Sequence, residues 1–227
     1  MKVTYYGHSC FSVSIAGRQL LFDPFITGNE LANPLVEVDT LRPDYILVSH
    51  GHVDHIADCV RIASQSDATV ICNWEIYAWL QKQGLSRIHP MNTGGGRDFE
   101  GFSVKCVTAH HSSGLPDGSY GGNPMGFILK SAEGNFYYSG DTALTLDMQL
   151  VPRWAKLDFA ILPIGDNFTM DAADAVECAN MVGCNRVMGV HYDTFGYIRI
   201  DHEQAVSRFR EAGKELILMN IGEEKNI

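Results

Sequence analysis

The stretch SHGHVDHIAD, residues 49–58, places three histidines and two aspartates directly after the apolar run YILV of residues 45–48. The apolar run predicts a buried strand, and so many polar groups beside it would be costly unless something pairs them. Imidazole and carboxylate are the common ligands of zinc and similar divalent ions. Open α/β sheets bind ligands in loops at the carboxyl ends of their strands. The stretch therefore predicts a metal site.

The spacing within this stretch restricts its conformation. His50 and His52 are two residues apart, so they cannot share a helix face, but both can point the same way from an extended loop. Asp54 and His55 fall at the start of a helical pattern that runs from residue 54 to about residue 65. We therefore expect the polar cluster to span a strand end, a loop and the beginning of a helix.

Outside this stretch the chain alternates strands with helices. The patterns predict strands at 3–7, 10–15, 19–23, 44–49, 68–72, 102–109, 125–131, 135–140, 157–163, 185–191 and 215–220, and helices at 54–65, 74–84, 171–182 and 202–212. Pattern alone supports an α/β fold in a single domain, residues 1–227. Because βαβ units frame both halves, we expect a four-layer αββα sandwich, with two mixed sheets packed together and helices on the outer faces.

Charge and composition exclude several classes of protein. The chain has 17 Lys and Arg against 27 Asp and Glu, a net charge of −10, which disfavours broad nucleic-acid binding. No apolar run approaches the roughly 20 residues of a membrane span, and the N-terminus lacks a signal-peptide pattern. None of the six cysteines forms a C-x-x-C pair. We therefore expect reduced, buried thiols in a cytoplasmic protein.

The motif H-x-H-x-D-H after a strand resembles the signature of the metallo-β-lactamase superfamily. Further segments resemble one branch of it, the bacterial metal-dependent hydrolases related to L-ascorbate 6-phosphate lactonases. These segments are GHSCF (7–11), LFDPFITGN (21–29), HHSS (110–113), SGDTAL (139–144), PIGDNFTM (163–170) and GVHYDTF (189–195). The resemblance covers nearly the whole chain, in the same order and spacing.

This resemblance implies a binuclear metal site with a role for each ligand. His50, His52 and one histidine of HHSS would bind the first metal; the second would be bound by the ligands Asp54, His55 and His191, with Asp141 bridging both. The related pattern places the ligand directly before Ser-Ser, which favours His111 over His110. Adjacent strand residues point to opposite faces, so only one of the two can reach the metals.

Several other polar residues are weaker candidates. His8 and Asp23 could orient metal ligands, since metal-bound histidines usually donate their other N–H to a partner, or they could be an ordinary core histidine and turn aspartate. Asp166 and Asn167 could line the pocket or form an Asx turn. The glycines from Gly94 to Gly96, followed by Arg97, could cradle a phosphate, but a hairpin loop is the simpler interpretation.

The implied activity is metal-assisted hydrolysis of an ester-like bond in a small phosphorylated or lactone substrate. Two divalent metal ions would activate water, with zinc the first choice and manganese, iron or nickel as alternatives. Asp54 could orient the attacking hydroxide or take up its proton, and His8 could serve as an extra acid or a substrate contact.

Two alternative functions stay open at this point. A phosphodiesterase or ribonuclease of the same superfamily would use the same metal set, although the sequence has no extended basic run. A non-catalytic metal-binding module would bind metal without turnover, but the full ligand set argues against it. The sequence also leaves homo-oligomerisation open. We expect a small-molecule substrate and no membrane partner.

Overall fold

Fourteen strands form two mixed sheets in the computed structural model, which describes all residues 1–227. The strands are β1 (Lys2–Gly7), β2 (Cys10–Ile15), β3 (Arg18–Phe22), β4 (Tyr45–Leu47), β5 (Thr69–Cys72), β6 (Ile88–Pro90), β7 (Gly96–Phe99), β8 (Phe102–Thr108), β9 (Met125–Ser131), β10 (Gly134–Tyr138), β11 (Phe159–Pro163), β12 (Arg186–Val190), β13 (Glu215–Ile217) and β14 (Glu224–Asn226). The first sheet has the order β14-β1-β2-β3-β4-β5-β6, and the second has the order β13-β12-β11-β10-β9-β8-β7.

Both sheets follow the same plan. In the first, β1 to β3 are antiparallel and β3 to β6 are parallel. In the second, β7 to β10 are antiparallel and β10 to β13 are parallel. Parallel neighbours need a crossover connection, usually a helix, which explains why the helices follow the later strands of each sheet.

Five helices cover the outer faces of the sheets. They are α1 (Val53–Ile56), α2 (Cys59–Ser66), α3 (Trp74–Lys82), α4 (Ala172–Met181) and α5 (His202–Glu211). The first three pack on the first sheet, and the last two pack on the second. Leu47 faces the core between the sheets, while its neighbour Ile46 faces the helices. The predicted αββα sandwich is therefore confirmed. None of the helices is both long and apolar enough to cross a membrane.

The structure differs from the predicted elements at a few places. The helix predicted from residue 54 is two helices, because the backbone N–H of Asp58 between them donates to the carbonyl of Pro24 and not to a carbonyl of the preceding turn. Strands β6, β7 and β14 were not predicted; each is a short edge strand with little apolar pattern. The segment Gly94 to Arg97 leads into β7, whose Gly96 pairs with Lys105 of β8, so it is hairpin backbone.

Candidate metal centre

The predicted metal ligands meet at one edge of the sandwich. Strands β4 and β10 end three residues before His50 and Asp141, and β12 ends directly before His191. Strand β8 is antiparallel to β9, which is antiparallel to β10, so β8 also ends at this edge, just before His111. The topology therefore brings side chains from four separate strand ends to one place.

Three histidines form the first ligand group. The Nε2 atom of His50 lies 3.0 Å from Nδ1 of His52, and the ring of His111 lies 5.1 Å from each of the other two rings. The opposite nitrogens of the first two rings have hydroxyl partners, with Ser49 Oγ 3.0 Å from His50 Nδ1 and Ser112 Oγ 3.2 Å from His52 Nε2. These contacts leave Nε2 of His50 and Nδ1 of His52 facing each other, beside the ring of His111.

The second group surrounds the carboxylate of Asp141. Its Oδ2 atom lies 2.9 Å from His191 Nε2, 3.2 Å from His55 Nε2 and 3.8 Å from His111 Nε2. Asp54 lies on the far side, with Oδ2 3.8 Å from His55 Nε2 and 3.9 Å from His191 Nε2. Asp141 thus lies between the two histidine groups, in the position that a bridging ligand would need.

Asp23 is buried behind this cluster and holds one of its members. Its carboxylate accepts hydrogen bonds from the backbone N–H of Ser49 at 2.7 Å, the Ser49 hydroxyl at 2.6 Å and the Tyr138 hydroxyl at 2.5 Å. It also lies 2.9 Å from His55 Nδ1. The contact with Nδ1 lets Asp23 orient the His55 ring and leaves Nε2 of that ring facing the other ligands.

His8 contacts Asp54, much as Asp23 contacts His55. The His8 Nε2 atom lies 3.1 Å from Oδ2 of Asp54, and Nδ1 lies 3.0 Å from the hydroxyl of Thr194. The ring is buried and packs edge-on against Phe25 and Phe195. Both ring nitrogens therefore have protein partners. Thr194 is a site residue that sequence reasoning missed, although it lies within the quoted segment GVHYDTF.

The charges in the site are arranged for cation binding. Burial lowers the pKa values of His50, His52 and His111, which favours the neutral imidazole that metals require. Burial opposes ionisation of Asp141, but the neighbouring His191 and His55 outweigh it and hold its pKa well below the ordinary value. The carboxylate is therefore ionised.

Burial and neighbouring charges also determine the protonation of the second ligand group. Burial opposes the charge of Asp54, but His55 and the hydrogen bond from His8 keep the pKa of Asp54 low. Burial likewise disfavours a proton on His55, yet the carboxylates of Asp141 and Asp54 raise its pKa well above the ordinary value. The two carboxylates thus attract a positive charge to this point.

Unpartnered buried atoms test whether a metal fits. His55 Nε2 and Asp141 Oδ1 are buried and make no hydrogen bond of good geometry, even though Nε2 of His55 is close to a carboxylate oxygen. Buried polar atoms almost always have a partner, so two such atoms in one cluster require an explanation. Imidazole and carboxylate donors converging on one point fit divalent cations.

A cleft of about 440 Å³ opens onto the ligands. Its lining residues are His52, Val53, Asp54, His111, Ser112, Gly114, Asp141, Phe168 and His191. His111 therefore lies in both the ligand cluster and the cleft, whereas His110 is exposed and its backbone N–H donates to Thr142. Asp166 and Asn167 form a left-handed turn, in which Asp166 accepts the Asn167 N–H, and it is Phe168 that reaches the cleft.

The sequence of this chain is similar to those of known proteins. A family model described as a β-lactamase superfamily domain matches residues 18–192. UPF0173 metal-dependent hydrolases from Christiangramia forsetii and Methylacidiphilum infernorum are 49% and 51% identical, each over 98% of both chains.

Solved structures agree with the fold. Igni18, a metallo hydrolase from the archaeon Ignicoccus hospitalis KIN4/I, superposes with a TM-score of 0.89 at 30% identity, over 100% of this chain and 98% of that one. An isothiocyanate hydrolase from Delia radicum gut bacteria superposes with a TM-score of 0.83 at 19% identity, over 100% and 99% of the two chains. The second likeness is evidence for the fold alone.

Proposed function

This chain belongs to the metallo-β-lactamase superfamily, among its metal-dependent hydrolases, and on that premise we propose that it holds two divalent ions and hydrolyses an ester-like bond in a small molecule. The observation that carries the proposal is the position of Asp141 Oδ2, 2.9 Å from His191 Nε2 and 3.8 Å from His111 Nε2. A single carboxylate between two histidine groups is suited to a shared ligand.

We assign the ligands by group. His50, His52 and His111 would hold the first ion; Asp54, His55 and His191 would hold the second, with Asp141 shared. When bound, the ions would supply Lewis-acid polarisation of the scissile group and a water acidic enough to react near neutral pH. A donor set of imidazoles and carboxylates without thiolate suits zinc, our first choice, and also accepts manganese, iron or nickel.

Asp54 is the residue we propose for proton handling. Its carboxylate is part of the cleft wall and is partly exposed, so a water molecule in the cleft can reach it. The ionised carboxylate can orient that water through a hydrogen bond and accept its proton as the water attacks. Asp54 would thus serve both as a ligand and as the base.

We propose that His8 positions Asp54. Its side chain is fully buried and does not line the cleft, which argues against a substrate contact. If the Thr194 hydroxyl donates to Nδ1, the ring proton resides on Nε2 and donates to Asp54 Oδ2. The two hydrogen bonds would fix the angle at which the carboxylate faces the cleft.

The experiment that tests the proposal starts from metal-stripped protein reloaded with Zn²⁺ or Mn²⁺. Turnover of a sugar lactone and of an activated phosphodiester is compared for the wild type and for Asp54→Asn. Glu177→Gln, an exposed carboxylate-to-amide change on α4, is the matched control. We expect two ions per chain by elemental analysis and lactone turnover that falls at least about 100-fold in Asp54→Asn only.

Other results would redirect the proposal. Phosphodiester turnover in place of lactone turnover would favour the phosphodiesterase alternative. Two bound ions with neither activity would contradict the ester-like substrate class. Failure to bind any divalent ion would contradict the binuclear site itself.

A further inference from the structure

Three apolar side chains are exposed in or beside the wall of the cleft. Val53, Phe168 and Tyr197 are 54%, 51% and 78% exposed. Val53 and Phe168 are part of the cleft wall, and the Tyr197 ring meets the Phe168 ring edge-on at a centroid distance of 6.2 Å. We call these three residues the apolar rim.

The rim is built by segments that follow three strands, and two of these strands, β4 and β12, also precede proposed metal ligands. Val53 follows β4, Phe168 follows β11 and Tyr197 follows β12, and these strands run parallel within their sheets. Isolated exposed apolar residues are common on protein surfaces. Two that line one cleft from separate loops, with a third ring against one of them, are different, because binding sites combine apolar walls with a few polar groups.

The loop that presents Phe168 has an unusual backbone. Asp166 and Asn167 both adopt left-handed conformations, with φ of +62° and +54°. The Asp166 N–H donates to the carbonyl of Met170, which closes the loop below the ring. Backbone strain of this kind persists only where surrounding structure maintains it, and it concentrates at functional sites.

The cleft has no cationic side chain. Neither lysine nor arginine is among its lining residues. An adjoining cleft of about 450 Å³, which shares His111, Ser112 and Gly114 with the first, has none either. A phosphate remote from the scissile bond is normally held by arginine or lysine, and the net charge of −10 would repel it further.

We propose that the substrate is a neutral lactone or ester whose alkyl or aryl side chain packs against the apolar rim, an inference that rests on the hydrolase function proposed above. The oxygen of water bonds to the acyl carbon and the acyl C–O bond breaks. The proton that Asp54 accepts from the water is then transferred to the released alkoxide oxygen. The products are a carboxylic acid and an alcohol, joined in one hydroxy acid when the substrate is a lactone. The apolar rim binds the part of the substrate that does not react, and so it discriminates between substrates by their side chains.

A chain-length series tests the proposal kinetically. γ-Lactones with side chains from methyl to hexyl are compared with 6-phosphogluconolactone as the anionic competitor. We expect kcat/KM to rise at least about tenfold along the alkyl series for the wild type, since each methylene adds apolar contact. The double variant Phe168→Ala/Tyr197→Ala should lose most of this rise, so that its kcat/KM should depend little on the length of the alkyl chain.

A matched control removes an aromatic ring elsewhere. Trp154 is also exposed, but lies in a separate cleft beside Lys105 and Lys130. Trp154→Ala should keep the wild-type dependence on chain length. A flat series in the wild type, or a preference for the phosphorylated lactone, would overturn the proposal.

A binding measurement separates the rim from the chemistry. 2-Hexylcyclopentanone has the ring and carbonyl of a lactone but no hydrolysable bond. By calorimetry it should bind at least about tenfold more tightly than cyclopentanone, and the double variant should abolish this preference. Such binding without lactone turnover would support the rim and contradict the hydrolase function. Turnover with no preference in binding would support the hydrolase function and contradict the rim.

Discussion

The carboxylate of Asp23 lies 2.9 Å from Nδ1 of His55, although the two residues follow different strands, β3 and β4. The same carboxylate accepts the hydroxyl of Tyr138, which comes from the opposite sheet. One buried side chain therefore connects both sheets to a proposed metal ligand. The direction in which His55 Nε2 points is set by the packing of the whole sandwich.

Replacing Asp23 should weaken the second metal site. In Asp23→Asn an amide NH₂ would face groups that are themselves donors, so His55 would lose its orientation. We expect about 10- to 100-fold weaker binding of the second ion, measured by competition with a chromophoric chelator. The control is Asp67→Asn, at an exposed aspartate that shares the left-handed backbone. Equal affinity in both variants would contradict the role of Asp23.

The adjacent histidines should differ in their effect on metal content. His111→Ala removes a side chain that lies beside His50 and His52, so we expect loss of one ion per chain and of turnover. His110→Ala alters an exposed side chain and should leave both unchanged. Elemental analysis after gel filtration measures the ratio. If His110→Ala lost the ion instead, the choice between the two would be wrong.

Thr194 should affect catalysis without affecting metal content. Thr194→Val removes the hydroxyl that lies 3.0 Å from His8 Nδ1, so the ring would no longer be fixed against Asp54. We expect kcat to fall about tenfold while KM changes little. Thr194→Ser, which keeps the hydroxyl, should restore most of kcat. A Ser variant as impaired as the Val variant would point to packing as the cause.

The metal-free protein should lose stability as the pH falls, and this loss should begin at a higher pH than the titration of ordinary carboxylates. Burial lowers the pKa of His8 from 6.5 to about 4 and lowers those of His50 and His111. The unfolded chain therefore binds protons first as the pH falls, and the free energy of unfolding should decrease between about pH 6.5 and 4. His55 behaves in the opposite way, because its pKa is raised. Its proton stabilises the folded state at low pH, and this stabilisation is lost above pH 6.5 as the pH rises through the raised pKa.

Urea unfolding at several pH values measures this dependence. His8→Gln should flatten the decrease, because it removes one of the groups that titrate in the window. A free energy of unfolding that stayed constant from pH 6.5 to 4 would contradict the neutral, buried state of these histidines.

The thiols should be unreactive in the folded protein. All six cysteines are buried, and burial raises the pKa of Cys106 to about 12 and also raises that of Cys10. Thiolate is the reactive form, so both access and ionisation are suppressed. We expect no reaction with Ellman's reagent at neutral pH and six thiols per chain in denaturant. Rapid titration of any thiol in the native state would contradict this burial.

The sequence predicts a strand most clearly where both faces of that strand are buried. The continuous apolar run of β11, Phe159–Pro163, predicts a buried strand without reference to anything else. The edge strand β14, Glu224–Asn226, has no such run, and it exists because β1 offers unpaired backbone groups. Edge strands depend on their neighbours, so local pattern does not reveal them.

The site shows the same division. The motif around His50 could be recognised because its ligands are close in sequence. The contact of Thr194 with His8 joins residues that are 186 positions apart, and Phe168 meets Tyr197 only after β11 and β12 are side by side. A single sequence carries no signal for such pairs. The relation to L-ascorbate 6-phosphate lactonases, the single domain and the proposed ligand roles stay predictions.

The proposed ligands are dispersed along the chain from residue 50 to residue 191 and come from loops of both sheets. A nascent chain therefore cannot present the complete set until His191 has been synthesised and the two sheets have docked. Metal acquisition would then act as a late checkpoint in biogenesis, because an incompletely assembled molecule would capture at most one ion. In a cell, the ratio of bound metal to polypeptide would report how much of the protein had matured.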